Sequence, residues 1–130
     1  MACFGQLVVV SLLVCFSLAC SRKATPEDPE IWQKIHLDFS QIDPDGRTGP
    51  PGGKVVVNYE FCVPAQEKFW KTVQKIDSTV IRQAGTSGRI GCGKGQCLII
   101  GSTAQPKYRR VLYELASLPF VPKIEQTYWE

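Results

Sequence analysis

The order of hydrophobic patterns from residue 54 onward limits the folds open to this chain. KVVVNYEFCV sets Val55, Val57, Tyr59 and Phe61 against Val56, Asn58, Glu60 and Cys62, the two-residue period of a strand. Pro64 then suits the first turn of a helix. PAQEKFWKTVQKI places Ala65, Phe69, Val73 and Ile76 on one helical face, and Asp77-Ser78 ends it. TVIRQAGTSGRIG reads as an irregular strand broken by glycines, and QCLIIGS as a compact β-branched strand. Pro106 opens a second helix with Tyr108, Val111, Leu112, Leu115 and Leu118 as its apolar stripe. VPKIEQTYWE supplies a terminal strand.

The resulting series, β-α-β-β-α-β, predicts an α+β domain of the ferredoxin-like, split-βαβ kind. Right-handed crossovers place both helices on one face of an antiparallel sheet and leave the other face free to meet a partner. Before it, Ile35, Leu37 and Phe39 alternate with His36, Asp38 and Ser40, which predicts an added strand over 34–40, at the sheet edge or in an N-terminal hairpin. DPDGRTGPPGG, residues 43–53, is a loop. Its DPDG is an ordinary turn rather than a calcium loop, since the glycine falls two positions early and Lys54 stands where a bidentate Glu is needed.

Compartment follows from the N-terminus. The first 21 residues carry no charged side chain, and Leu7–Ala19 is almost wholly apolar. Thirteen residues are too few for a permanent membrane span and suit a signal-peptide core, although MACFGQ offers only the α-amino group as positive charge. Ser17-Leu18-Ala19 fits the small-x-small rule of ordinary signal peptidase. SLAC also resembles a bacterial lipobox with Cys20 as the lipidated residue, departing from it at Ser17, where Leu is usual. The polar SRKATPEDPE behind it suits a tether, which favours the lipobox. The expected organisation is a signal peptide over 1–19, a tether over 20–33 and one domain over 34–130. On either cleavage reading the mature protein is extracytoplasmic, as a lipid-anchored envelope protein or as a periplasmic or secreted one.

All 15 Lys/Arg and 12 Asp/Glu lie beyond residue 20, giving a net charge of +3 with mixed signs along the chain. No run of like charges marks a nucleic-acid or anionic-lipid face, so no nucleic-acid partner is expected and membrane contact is expected through the lipid anchor only. GRIGCGKGQC, residues 88–97, has Gly88, Gly93 and Lys94 at phosphate-loop spacing, but Gly95 replaces the Ser/Thr and a strand follows instead of a helix. As a hairpin tip with Lys94-Gly95 at the turn, it would oppose Cys92 and Cys97 as neighbours and predicts a Cys92–Cys97 disulfide. Cys62, ending its strand beside Cys97, makes Cys62–Cys97 a competing bridge. A three-thiolate site on Cys62, Cys92 and Cys97 is the remaining option, with the sole histidine, His36, on a distant strand.

No catalytic constellation and no cofactor motif is present: there is no G-x-S-x-G, no H-E-x-x-H and no second histidine. Acylphosphatases share the expected fold, but FCVPAQ lacks their phosphate-binding arginine. LYELASLPFVPKIEQ, residues 112–126, is similar to the end of subtilisin propeptides and their free-standing inhibitor relatives, through Leu115, Leu118, Pro119, Val121, Ile124 and Glu125. The resemblance implies the same β-α-β-β-α-β fold and a protein partner such as a protease. Those inhibitors insert a tail beyond the last strand, whereas this sequence stops at Trp129-Glu130, so no inhibitory residue carries over. Tyr128 and Trp129 are the candidate partner contacts. The expected function is a non-catalytic, extracytoplasmic protein-binding module, as a propeptide-like inhibitor or a chaperone. The alternative is a thiol- or metal-handling envelope protein using Cys62, Cys92 and Cys97.

Overall fold

A computed structural model describes residues 27–128. The expected signal peptide, Cys20 and Trp129 lie outside the described residues. The described residues form a mixed α+β structure with two sheets and three helices. The helices are α1 (Pro29–Trp32), α2 (Glu67–Ile76) and α3 (Tyr108–Ala116). The strands are β1 (Ile35–His36), β2 (Arg47–Thr48), β3 (Val55–Val56), β4 (Asn58–Pro64), β5 (Ile81–Gln83), β6 (Gln96–Ser102) and β7 (Ile124–Thr127).

The main sheet runs β1-β7-β4-β6-β5, and β2 pairs with β3 in a separate ribbon. β4 pairs antiparallel with both β6 and β7, and β5 antiparallel with β6. Only β1 lies parallel, against β7, which makes the sheet mixed. The core-facing side carries Tyr59, Phe61, Val63, Ile99 and Ile124, which join Trp70 and Val73 of α2 and Leu112 and Leu115 of α3 in one cluster. Both long helices therefore cover the same face.

Local chemistry shortens several expected elements. The Asp38 carboxylate accepts from the backbone N–H and the hydroxyl of Ser40, turning the chain into a 3₁₀ turn over Phe39–Gln41 and ending the strand after two residues. The expected strand over 34–40 thus survives as a short edge strand. Within the span expected to be tether, Asp28 caps the single-turn helix α1, with Pro29 at its first position. Trp32 of α1 packs on Phe39 and Tyr113, with ring centroids 5.6 and 5.4 Å away. On α2 the apolar face centres on Trp70 and Val73, while Ala65 is exposed ahead of the helix.

The strand expected through residues 55–62 is interrupted at Val57. The Val57 N–H bonds to the Thr103 hydroxyl, which in turn donates to the Gly46 carbonyl at 2.6 Å. This buried hydroxyl joins the 43–46 turn to the end of β6, so β3 leaves the main sheet and pairs with β2. The Asp43 carboxylate is consumed by the same turn: it accepts from the N–H groups of Asp45 and Arg47 and from Lys54 Nζ. The lysine, with those backbone donors, holds its carboxyl below the usual range.

A second buried cluster fixes the end of α2. Tyr59 donates to Asp77 Oδ2, while Asp77 Oδ1 accepts from the backbone N–H and hydroxyl of Thr79 and from the Gln105 amide. Asp77 and Tyr59 are wholly buried, and burial followed by the neighbouring carboxylate pushes the Tyr59 phenol far above its ordinary value. Gly101 leaves the room they need: a β-carbon there would lie 2.4 Å from the Tyr59 ring.

Candidate partner-binding face

The cysteines join differently from either expected pairing. Cys62 bonds to Cys92, 30 residues apart, and Cys97 is a free thiol. Two geometric facts overturn the expected bridges. Gly93 accepts from the Gln96 N–H, so Lys94-Gly95 does form the turn, but among the described residues Lys107 alone of the non-glycine residues has positive φ. Lys94 is therefore in ordinary backbone space, and Gly95 has φ of +80°. The positive φ at the third position is the type II pattern, whose twist splays the flanking chains instead of opposing Cys92 and Cys97. The Cys62–Cys97 bridge fails on register: Cys97 faces Val63, so its side chain shares the core-facing side, while Cys62 pairs with Leu98 on the other.

The disulfide straps residues 84–95 across the sheet face opposite the helices. Along this strap Gly88, Ile90 and Cys92 are half-buried while Gly85, Arg89, Gly91 and Gly93 are exposed. The Ile90 N–H donates to Glu60 Oε1 at 2.7 Å. Gly88 has φ of +65°, and a β-carbon there would lie 2.8 Å from Leu98 Cδ1 and 3.1 Å from Glu60 Oε2. Cys62, Leu98, Ile100 and Glu60 are accordingly buried although they lie outside the main core. The expectation of a free outer face is thus corrected: the strap closes its middle.

One residue row crosses this face on all five strands: Ile81, Ile100, Glu60, Glu125 and His36. It is apolar at the β5 side and charged at the β1 side. The facing carboxylates Glu60 and Glu125 would repel, and each finds its own donor. Glu125 sits 2.9 Å from His36 Nδ1 and 3.5 Å from Lys123 Nζ. Partial burial works against its ionisation, but the hydrogen bond from His36 and the nearby lysine hold its carboxyl below the ordinary range. His36, expected on the polar side of its strand, is there, with its side chain 48% exposed.

Beyond the strap, β3, β7 and the 38–42 turn enclose a cleft of about 680 Å³. Asp38, Asn58 and Thr127 line it together with Ile42, Val55, Val56 and Tyr128. Val55 is 61% exposed, Val56 39% and Tyr128 61%, and these are three of the four exposed large hydrophobics among the described residues. The Thr127 hydroxyl is buried without a partner beside them. A smaller pocket of about 380 Å³, between the strap and β6, shares Thr127 and Tyr128 with this cleft. Tyr128, singled out from the sequence, therefore stands between two hollows. Val55 and Val56 were missed as surface residues, because an unbroken alternation assigns one of them to the core. The glycine-proline run before Lys54 is the sequence signal that the strand starts as a ribbon.

Cys97 is half-buried on the core-facing side of β6, and desolvation raises its pKa despite the opposing effect of Arg82. With Cys62 and Cys92 joined, three thiolates do not converge. Among the described residues no group of three His, Cys, Asp or Glu is placed to hold a metal ion, and no helix is long and apolar enough to cross a membrane. The disulfide fits an extracytoplasmic location. No protein-family model matches the chain, and no curated protein or solved structure matches it.

Proposed function

We propose that the protein is a non-catalytic binding module that recognises a protein partner outside the cytoplasm. The observation that carries this reading is the clustering of Val55, Val56 and Tyr128 around one cleft. Exposed apolar groups rimmed by polar ones are a common form of protein-contact surface.

The domain under this surface is read as a split-βαβ, ferredoxin-like unit. The chain order β4-α2-β5-β6-α3-β7 and the neighbour order β7-β4-β6-β5 support that reading, with β1 added parallel at the edge. A propeptide-like protease inhibitor and an assembly chaperone are the two forms it takes. In either, contact is made at the β3–β7 end of the sheet, because the strap closes the middle. Anchoring through Cys20 belongs to the same proposal and would be seen as a diacylglyceryl mass on the membrane-extracted protein.

The test compares the parent protein with a V55D/V56D variant. Both positions are exposed, so the fold survives, and this is checked by the thermal melt. The parent is expected to retain a specific protein from an envelope extract, or to slow a subtilisin-type protease, and the variant to do neither. Loss of the reading follows if the parent does neither, or if the variant binds as well as the parent.

A further inference from the structure

α2 presents a second, differently built surface. Lys68, Lys71 and Lys75 are all exposed on it. At 100° per residue they fall within about 60° of arc. That stripe lies on the side of the helix opposite Trp70 and Val73, so the three ammonium groups point directly away from the core. Glu67 is the helix's own acid, and it is bound by Arg82 at 2.9 Å. Among the described residues no carboxylate pairs with Lys68, Lys71 or Lys75, and Lys68 lies instead 5.0 Å from the ring of Phe69. Phe69 stacks edge-on against Phe120 at 4.7 Å, and both half-buried rings pack toward the core.

The chain enters the domain on this same layer. The Asp28 N–H donates to the Tyr113 hydroxyl, and Trp32 packs on the Tyr113 ring, so residues 28–32 lie against α3. α3 packs in turn against α2. Eight residues separate Cys20 from Asp28, a reach of at most about 28 Å. A chain held at a membrane by its N-terminal segment would thus keep its helical layer within reach of the lipid. We infer that α2 docks on an anionic bilayer through Lys68, Lys71 and Lys75. The inference rests on the anchoring reading of residues 7–20. The acids near the entry point, Glu27, Asp28 and Glu30, lie with α1 and α3 and not on the α2 stripe. Each lysine near such a surface favours docking on the order of fivefold, and three together on the order of a hundredfold. A short tether makes that sufficient, because the surface is always within reach.

The test uses the full chain reconstituted into vesicles of phosphatidylcholine alone or mixed with phosphatidylglycerol. An amine-acylating reagent is applied and the rate at each lysine is read by peptide mass spectrometry. Acylation of Lys68, Lys71 and Lys75 is expected to slow at least tenfold on the anionic vesicles. Lys54 and Lys123 should react at the same rate on both, and the protection should vanish in salt on the order of 1 M. A K68E/K75E variant should melt like the parent and lose the anionic-vesicle protection at Lys71. Equal rates at the α2 lysines on the two vesicles, or uniform slowing of every lysine, would overturn the inference. Protection by a soluble polyanion but not by anionic vesicles would overturn it too. A missing lipid mass on Cys20 is read from the same spectra, so failure of the anchor is told apart from failure of the α2 surface.

Discussion

The Cys62–Cys92 bridge gives a prediction whose size follows from its position in the chain. It closes a loop of 30 residues, and loop-closure entropy puts the loss on removing it at about 3.6 kcal/mol. A bridge across the 93–96 turn would close only a handful of residues and be worth about 2 kcal/mol. The informative variants are C62A/C92A, which leaves no orphan thiol, and C97A. Cys62 is 6% exposed, so alanine avoids burying an unpaired hydroxyl there. With a urea slope of about 1–3 kcal/mol per M for a domain this size, the double variant should lose about 1.2–3.6 M of its midpoint. Adding a dithiol reductant to the parent should produce a loss of the same size. C97A should keep most of the parent's stability and lose only the contact of one half-buried thiol, about 1 kcal/mol. The reasoning fails if C97A shows the larger loss, or if the double variant unfolds at the parent's midpoint.

Three further outcomes follow from the geometry. G101A should destabilise the domain by about 2–3 kcal/mol in a thermal melt, because the new methyl meets the Tyr59 ring at 2.4 Å and the Asp77 carboxylate at 2.8 Å. Cys97 should alkylate slowly at neutral pH in the folded protein and rapidly in urea, since desolvation raises its pKa and keeps the thiolate scarce. Glu125 has its folded pKa depressed by His36 and Lys123, so its contribution is present above the unfolded value of about 4.3 and is lost as the pH falls through the lower folded one. H36A should therefore cost about 0.5 kcal/mol near pH 5 and nothing once Glu125 is protonated in both states, as measured by urea midpoints across that range.

The sequence was most legible where one physical term dominated. α2 and α3 follow from their apolar stripes, and β4, β6 and β7 from apolar runs bounded by Pro and Gly. It was least legible where side chains redirect the backbone. Asp38 cuts the 34–40 strand short by bonding Ser40 two residues on, a side-chain bond that hydrophobic alternation does not report, and Thr103 peels Val55 and Val56 away from β4 through a contact 46 residues distant from Val57. The disulfide failed for a related reason. Spacing places Cys92 and Cys97 near one turn, but the turn's hand, set by Gly95 at +80° with Lys94 in ordinary backbone space, decides whether they face each other. The strap was readable only as glycines: Gly88 lies flat on Leu98 because no side chain fits there. The candidate contact face was half-legible, with Tyr128 marked by its place at the end of the chain and the two valines hidden in an apparent strand.

A photo-cross-linking amino acid placed at Val56 tests the central proposal most directly, with the same group at exposed Ser117 on the helical layer as the reference. Irradiation in the living cell should give a discrete protein adduct from position 56, abolished by Y128A and absent from position 117. The same adducts from both positions, or none from position 56, would contradict a partner seated in the β3–β7 cleft.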